Sequence, residues 1–470
     1  MIRTVILSWI LLAVVQVASG QLDVARLASE YKAADAAYQG GWGVTDSADS
    51  GRLGWGEGPI LENYAAMWEV TEDAYWLEKI RQHFQRIMAS ASDPDGDGFL
   101  SWQTKRYSCA VAFAERLSNF SDAQISPDNQ KNKNGSAAAK CTSHTYLLEF
   151  PAGPERFHIL DRDTGSLIAD KVPYKNGARI TQIEPFAFQI SGKPHQGDRF
   201  LIRTIAPEPL EFTVHQGMIV YPVALFIEAV KTRPQLQGRF GADADLYLAF
   251  ILKHVFEKNE QDWLDLGDSG GYRFQARITD RLPNRIMPHN QYAALARAWL
   301  VLKDLDSVPA LMARRASQMV RFLHDHLELD GKHDAYRWHY YDWVEYGQPG
   351  NSSYEDTSHA NINVGLAAEA ARRGVIFTEQ DLRRMANTWL KVMWNQDATK
   401  PLMASRVDGS KPHKFAPVIF GWSQLSQWDK GVYELGLRAF LAEDEKKRSQ
   451  QIPTILLSAK RAGLLAAKRY

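Results

Sequence analysis

Two cysteines in 470 residues leave almost nothing to cross-link, which excludes a small disulfide-stapled scaffold. Neither charge is in surplus: Lys+Arg and Asp+Glu are both 55. A nucleic-acid partner would ask for a basic excess, so none is expected, and an acidic ligand would have to be held by local charge in a cleft. Beyond the first twenty residues no stretch reads as a long apolar run able to cross a bilayer. What remains is an ordinary globular mixture, 45% hydrophobic and 23% charged, long enough for one large core or two smaller ones.

Residues 1–20 read as a secretion signal. Arg3 gives a positive start, Thr4 to Val17 is mostly apolar, and Ala18-Ser19-Gly20 puts small residues at the cleavage position. Ser8 and Gln16 interrupt the run, which disfavours a membrane span. The mature chain is expected to start near Gln21 and to be secreted or periplasmic. In that oxidising setting Cys109 and Cys141 flank the polar segment SPDNQKNKNGSAAAK. They form either a disulfide closing that loop or two separate thiols.

Four times a polar cluster stands just before a small-residue apolar helix, and an amphipathic helix follows. The clusters are Trp55-Gly56-Glu57-Gly58, His215-Gln216-Gly217, Pro288-His289-Asn290-Gln291 and Ser358-His359-Ala360-Asn361. Behind them run ILENYAAMWEV, MIVYPVALFIEAV, YAALARAWLVL and INVGLAAEAA. The repeating unit is a helical hairpin rather than a copied sequence. Helical spacing covers about 22–118, 216–328 and 358–470. The clearest outer helix opens at Thr378 with Asp381 at its third position, and Gly374 ends the helix before it.

Between 144 and 214 the pattern changes. TYLLEF, RFHILD, RITQIEPFAFQIS and RFLIRTI are short, β-branched or aromatic, and divided by turn residues. An antiparallel β insertion is expected there, with a separate carbohydrate-binding domain as the alternative. The expected class is therefore mainly α, an (α/α) toroid of hairpins. Residues 21–143 and 215–470 would form it, and 144–214 would be set into it. Stacked hairpins would bring all four polar clusters to one rim.

The runs WGEGPILENYAAMWEVTEDAYWLEKI, YRWHYYDW and EDTSHANINVGLAAEA resemble α/α-toroid polysaccharide lyases of the glucuronan- and alginate-lyase kind, and their C5-epimerase relatives. The likeness in organisation covers most of 40–440. No Asn-x-His-x-Tyr-Trp run of the best-known alginate lyases is present. The resemblance implies cleavage of a uronic-acid glycan by β-elimination, with no cofactor required. Such chemistry neutralises the C6 carboxylate, removes the C5 proton and protonates the leaving oxygen.

The residue types needed are where the hairpins would put them. His289 and Asn290 lie in the first turn of a helix opened by Pro288, where free N–H groups attract a carboxylate. His215 with Gln216, and His359 with Asn361, hold equivalent places. The plain alternative is that each His packs or caps its own helix. Tyr336–Trp343 is the densest aromatic stretch: Trp338 and Tyr340 could stack on sugars, and Arg337 could pair with a carboxylate. Tyr341 is the first choice for the acid and Tyr340 its rival, with alternation placing them on opposite faces. The alternative to a site there is a core strand.

Trp55 and Glu57 are candidate substrate contacts. Glu57 with Asp356 would also suit an inverting hydrolase, although Asp356 can equally cap its helix. A hydrolase on the same scaffold and a non-catalytic glycan-binding protein are thus competing readings. Asp93, Asp95 and Asp97 resemble the start of a calcium loop, but Thr104 stands where a twelfth-position acid belongs; a structural calcium or an Asx-rich turn would fit. Asn119, Asn134 and Asn351 match the glycosylation pattern. The basic tail LLSAKRAGLLAAKRY reads as a final solvated helix.

Overall fold

The computed structural model describes residues 22–118, 120–128, 131–132, 138–342 and 353–465. The expected signal, the three glycosylation asparagines, Trp343 and the last five residues lie outside them. The chain divides into two units. Unit 1 takes the chain up to Trp102, Phe212–Arg273 and everything from Arg285; unit 2 takes Gln103–Glu211 with Phe274–Asn284.

Unit 1 is helical. Its helices are α1 (Val24–Ala37), α2 (Gly58–Thr71), α3 (Ala74–Ala89), α4 (Thr213–Thr232), α5 (Pro234–Phe250), α6 (His289–Leu302) and α7 (Ala310–Asp325). They continue with α8 (Thr357–Arg372), α9 (Glu379–Asn387), the short α10 (Phe420–Ser423), α11 (Lys430–Ala442) and α12 (Glu445–Arg461). Sequence chemistry sets the ends. Thr378 and Asp381 exchange the two hydrogen bonds of a capping box at α9. Past α8, Gly374 takes φ +66°, a left-handed conformation that glycine adopts without steric cost.

The small-residue helices pack against one another in sequence: α2 on α4, α4 on α6, α6 on α8, α8 on α10. The series returns through α12, which packs on α2. The amphipathic helices α3, α5, α7, α9 and α11 each lie on their own hairpin partner, and α1 lies on α12. Neighbours run parallel and nearly in register. Gly217, at the start of α4, faces Ala294 at the start of α6, and a Cβ there would come within 3.0 Å of the Ala294 backbone. Asn361, early in α8, lies against Gly421 at the start of α10. The N-terminal ends of these helices therefore share one end of unit 1.

The sequence suggested no apolar run able to span a bilayer, but α4 is long and apolar enough by length and composition. It is buried on nearly every side because helices flank it all round, and burial selects the same composition as lipid.

Unit 2 holds the β structure. A six-stranded antiparallel sheet has the order β3-β1-β9-β4-β5-β6, and a three-stranded one the order β2-β8-β7. The strands are β1 (Ala110–Arg116), β2 (Gln124–Pro127), β3 (Lys131–Asn132), β4 (His144–Glu149), β5 (Arg156–Asp161), β6 (Leu167–Pro173), β7 (Arg179–Ile180), β8 (Phe188–Ser191) and β9 (Arg199–Ile205). Alternation fixes their inner face: Tyr146 and Leu148, Phe157 and Ile159, and Phe188 and Ile190 point into one core.

The sheet begins well before 144. AVAFAER reads as helix by its alanines, yet it pairs residue by residue with β9, Val111 opposite Ile205 through Arg116 opposite Phe200. Tertiary pairing overrides the local preference. Cys109 and Cys141 are both buried, and no disulfide joins them. The Cys141 thiol instead lies 3.5 Å from the Thr142 carbonyl oxygen, and burial raises its pKa.

Candidate active site

The polar clusters do gather at one end of unit 1, but most of their side chains turn inward. His215 is 1% exposed, with Nδ1 3.0 Å from the Ser50 hydroxyl. Gln216 is equally buried and accepts from Asn259 Nδ2 at 2.8 Å. Glu57 has no exposed surface: Oε1 lies 2.6 Å from His83 Nδ1, and Oε2 accepts from the Val44 amide at 2.7 Å. Both Glu57 oxygens are thus engaged in the interior. Trp55 does reach the surface, its ring edge-on to His215 at 5.6 Å.

His289 sits at the centre of a buried relay. Nε2 bonds the Asp342 carboxylate and Nδ1 the Tyr292 hydroxyl. Burial lowers the His289 pKa, with Asp342 pulling the other way. Burial also lifts Tyr292 far above its usual range. Tyr292 follows His289 by one helical turn, the spacing that puts both on one face; neither it nor Asp342 was singled out from sequence. Beside them Asn290 is 1% exposed, and its Oδ1 has no hydrogen-bond partner.

The segment from Arg337 to Asp342 ties two helix starts together. The His289 amide donates to the Tyr340 carbonyl at 3.4 Å, while the Tyr340 ring stacks on His359 at 5.3 Å. Tyr340 therefore bridges the N-termini of α6 and α8. Tyr341 touches it edge-on, ring centroids 4.6 Å apart. The expected opposite faces are not found, because the strand β11 (Ala335–Arg337), paired with β10 (Glu328–Asp330), ends before the tyrosines. Tyr340 is pushed well above its ordinary pKa by burial and then by Tyr341 and Glu355, against a hydrogen bond from Gln291.

His359 is the exposed histidine of the three, its side chain 35% accessible. Nδ1 lies 2.6 Å from Asp356 Oδ2 and 3.8 Å from Glu355 Oε1. Asp356 also caps α8, Oδ1 accepting from the Ser358 and His359 amides. Against the upward pull of burial, His359 and these amides hold Asp356 below the usual carboxylate range. Glu355 is the reverse: fully buried, it is raised well above that range by burial and then by Asp356. The pKa values of two adjacent carboxyl groups are thus pushed in opposite directions.

Three other candidates have structural partners. Trp338 has no exposed surface and stacks on Trp422 at 6.3 Å. Arg337 pairs with Glu328 at 2.9 Å. Asn361 Oδ1 caps α10, accepting from Trp422 N at 3.1 Å. Away from this end, Asp93, Asp95 and Asp97 bring ligand atoms within 4.8 Å of one another. The Lys258 ammonium contacts Asp97 and lies 4.0 Å from Asp95, supplying positive charge to the group.

No protein-family model matches the chain, and no curated protein matches it. Among solved structures it is similar to an inactive variant of the alpha-1,6-mannanase GH76A of Salegentibacter sp. HEL1_6 in complex with alpha-1,6-mannotriose. Identity is 10% over 94% of this chain and 100% of that one, with a TM-score of 0.42. The flagellar junction protein FlgL from Legionella pneumophila matches at 14% identity over 47% of this chain and 80% of that chain, with a TM-score of 0.17. FlgL of Xanthomonas campestris matches at 13% over 43% and 77%, with a TM-score of 0.16.

Proposed function

We propose that the chain is a secreted or periplasmic glycan-degrading enzyme, built as an (α/α) toroid, that cleaves an acidic polysaccharide by β-elimination. The observation that carries this reading is Tyr340 bridging the starts of α6 and α8, stacked on His359 and touching Tyr341. It assembles a histidine and two phenols beside helix N-termini, which favour a carboxylate. The return of the inner-helix contacts from α12 to α2 supports the toroid.

In this reading Asp356 holds Nδ1 of His359, leaving Nε2 as the base that takes the C5 proton. Tyr341, half-buried at the edge of Tyr340, gives its proton to the leaving oxygen. Tyr340 and the His289–Asp342 bond fix the segment's position. Gln291 and the helix amides face the uronate carboxylate, and Trp55 offers a stacking surface.

A hydrolase is the second reading, favoured by Glu355, its pKa raised by burial, beside Asp356, its pKa lowered by His359 and the helix amides against the upward pull of burial. Environments that drive two carboxyl groups apart are how glycosidases assign acid and base. Incubation with glucuronan, alginate and glycosaminoglycans separates the two. New ultraviolet absorbance marks the unsaturated end left by elimination; new reducing ends without it mark hydrolysis. Elimination should vanish in His359→Ala. Full elimination activity in that variant would remove His359 as the base.

A further inference from the structure

At the C-terminal ends of α2, α8 and α12, unit 1 holds a half-open cavity of about 330 Å³. Tyr221, Glu369, Arg372, Arg373, Phe420 and Arg461 are among its walls. The four glutamates of its walls are each paired with an arginine, Glu62 with Arg297 at 2.9 Å. Glu369 takes Arg373 Nε on one oxygen at 2.7 Å, and Arg372 Nη2 on the other at 2.8 Å. Tyr221 donates to the second oxygen as well, at 3.1 Å. Glu228 pairs with Arg373 at 2.8 Å, and Glu69 with Arg461 at 2.8 Å.

The guanidinium groups are not fully engaged in return. Arg372 Nη1 and Arg461 Nε are buried without any hydrogen-bond partner. Leaving a buried charged donor unmade is costly, and these two belong to like charges: burial, and then Arg372, lower the pKa of Arg461. The cavity has the volume and, in Arg372 Nη1 and Arg461 Nε, the unpaired planar donors that one bridging anion would satisfy.

We propose that this cavity binds one small oxyanion, a phosphate, sulfate or carboxylate, between Arg372 and Arg461. The site is independent of the glycan reading and would stand in a chain with no activity on any polysaccharide.

The test is calorimetric titration of the full chain with phosphate, sulfate and glucuronate at constant ionic strength. Saturable one-to-one binding of at least one of them is expected, and the three arms separate a tetrahedral anion from a sugar carboxylate. Arg461→Lys keeps the charge and a partner for Glu69 but removes the Nε donor, and affinity should fall about tenfold or more. Ala66→Val narrows the cavity without touching any charge and should weaken binding too, with melting curves confirming that both variants fold. Absence of saturation below about 10 mM for all three anions overturns the proposal. So does binding that both variants leave unchanged.

Discussion

A single hydroxyl separates the leading chemistry from simple packing at Tyr341. Tyr341→Phe keeps the ring against Tyr340 and removes the proton. Glycan binding should survive while turnover falls by a factor on the order of hundreds, the usual worth of a general acid; Tyr340→Phe is the neighbouring control. Parent-like turnover in Tyr341→Phe would remove it as the acid. Glu355 makes a prediction about pH. Its folded pKa lies well above its unfolded value, so the folded state holds the extra proton. Stability is full below the ordinary glutamate range and is lost as pH rises from about 4.3 toward the raised value. Urea midpoints should fall across that window in the parent and much less in Glu355→Gln. Sequence put His289, His359 and the tyrosines together on hairpin order alone. It could not show that His289 spends both nitrogens on Asp342 and Tyr292, because burial and partner choice depend on the neighbouring helix.

Helices were the most legible elements. Thr378 with Asp381 and the Gly374 stop marked real ends, since capping chemistry is local. TYLLEF and RFHILD fell in β4 and β5 because alternation is local too. β1 falls inside the stretch of helical spacing at about 22–118, and its strand form depends on pairing with β9, far along the chain. The same dependence on a distant partner governs α4, where Gly217 lets α6 approach. Gly217→Ala would force a methyl into the Ala294 backbone and should cost about 3 kcal/mol, the upper end of overpacking penalties. Denaturant midpoints would record it. A loss below about 0.5 kcal/mol, the range of a neutral surface change, would mean the two helices part easily.

Over the whole molecule, charge is balanced in number but not in place. Glu369, buried among Arg372 and Arg373, is held at about 2 despite the upward pull of burial. A depressed folded pKa gives stability that is present above the unfolded value of about 4.3 and is lost as pH falls toward 2. The effect is on the order of 3 kcal/mol by linkage. Glu369→Gln should therefore be less stable at neutral pH and show a flatter decline between about pH 5 and 2, measured by urea unfolding at each pH. Glu369, Arg372 and Arg373 stand at i, i+3 and i+4 at the end of α8, a spacing legible in the sequence. Tyr221, and Arg461 with Glu69, join them from distant helices, which no periodicity reveals.

That separation also has a consequence in time. Ser449 of α12 reaches Glu30 of α1 across 419 residues of chain, and α12 also packs on α2. At about 5–20 residues per second of synthesis, the first helices wait roughly 20–80 s for the last one to be made. Until then α1 and α2 expose the surfaces that α12 will cover. Another copy's α12 offers the same partner surface, so crowded or slow synthesis favours pairing between molecules over pairing within one. Keeping nascent chains apart, rather than strengthening any one contact, is what protects the yield of this protein.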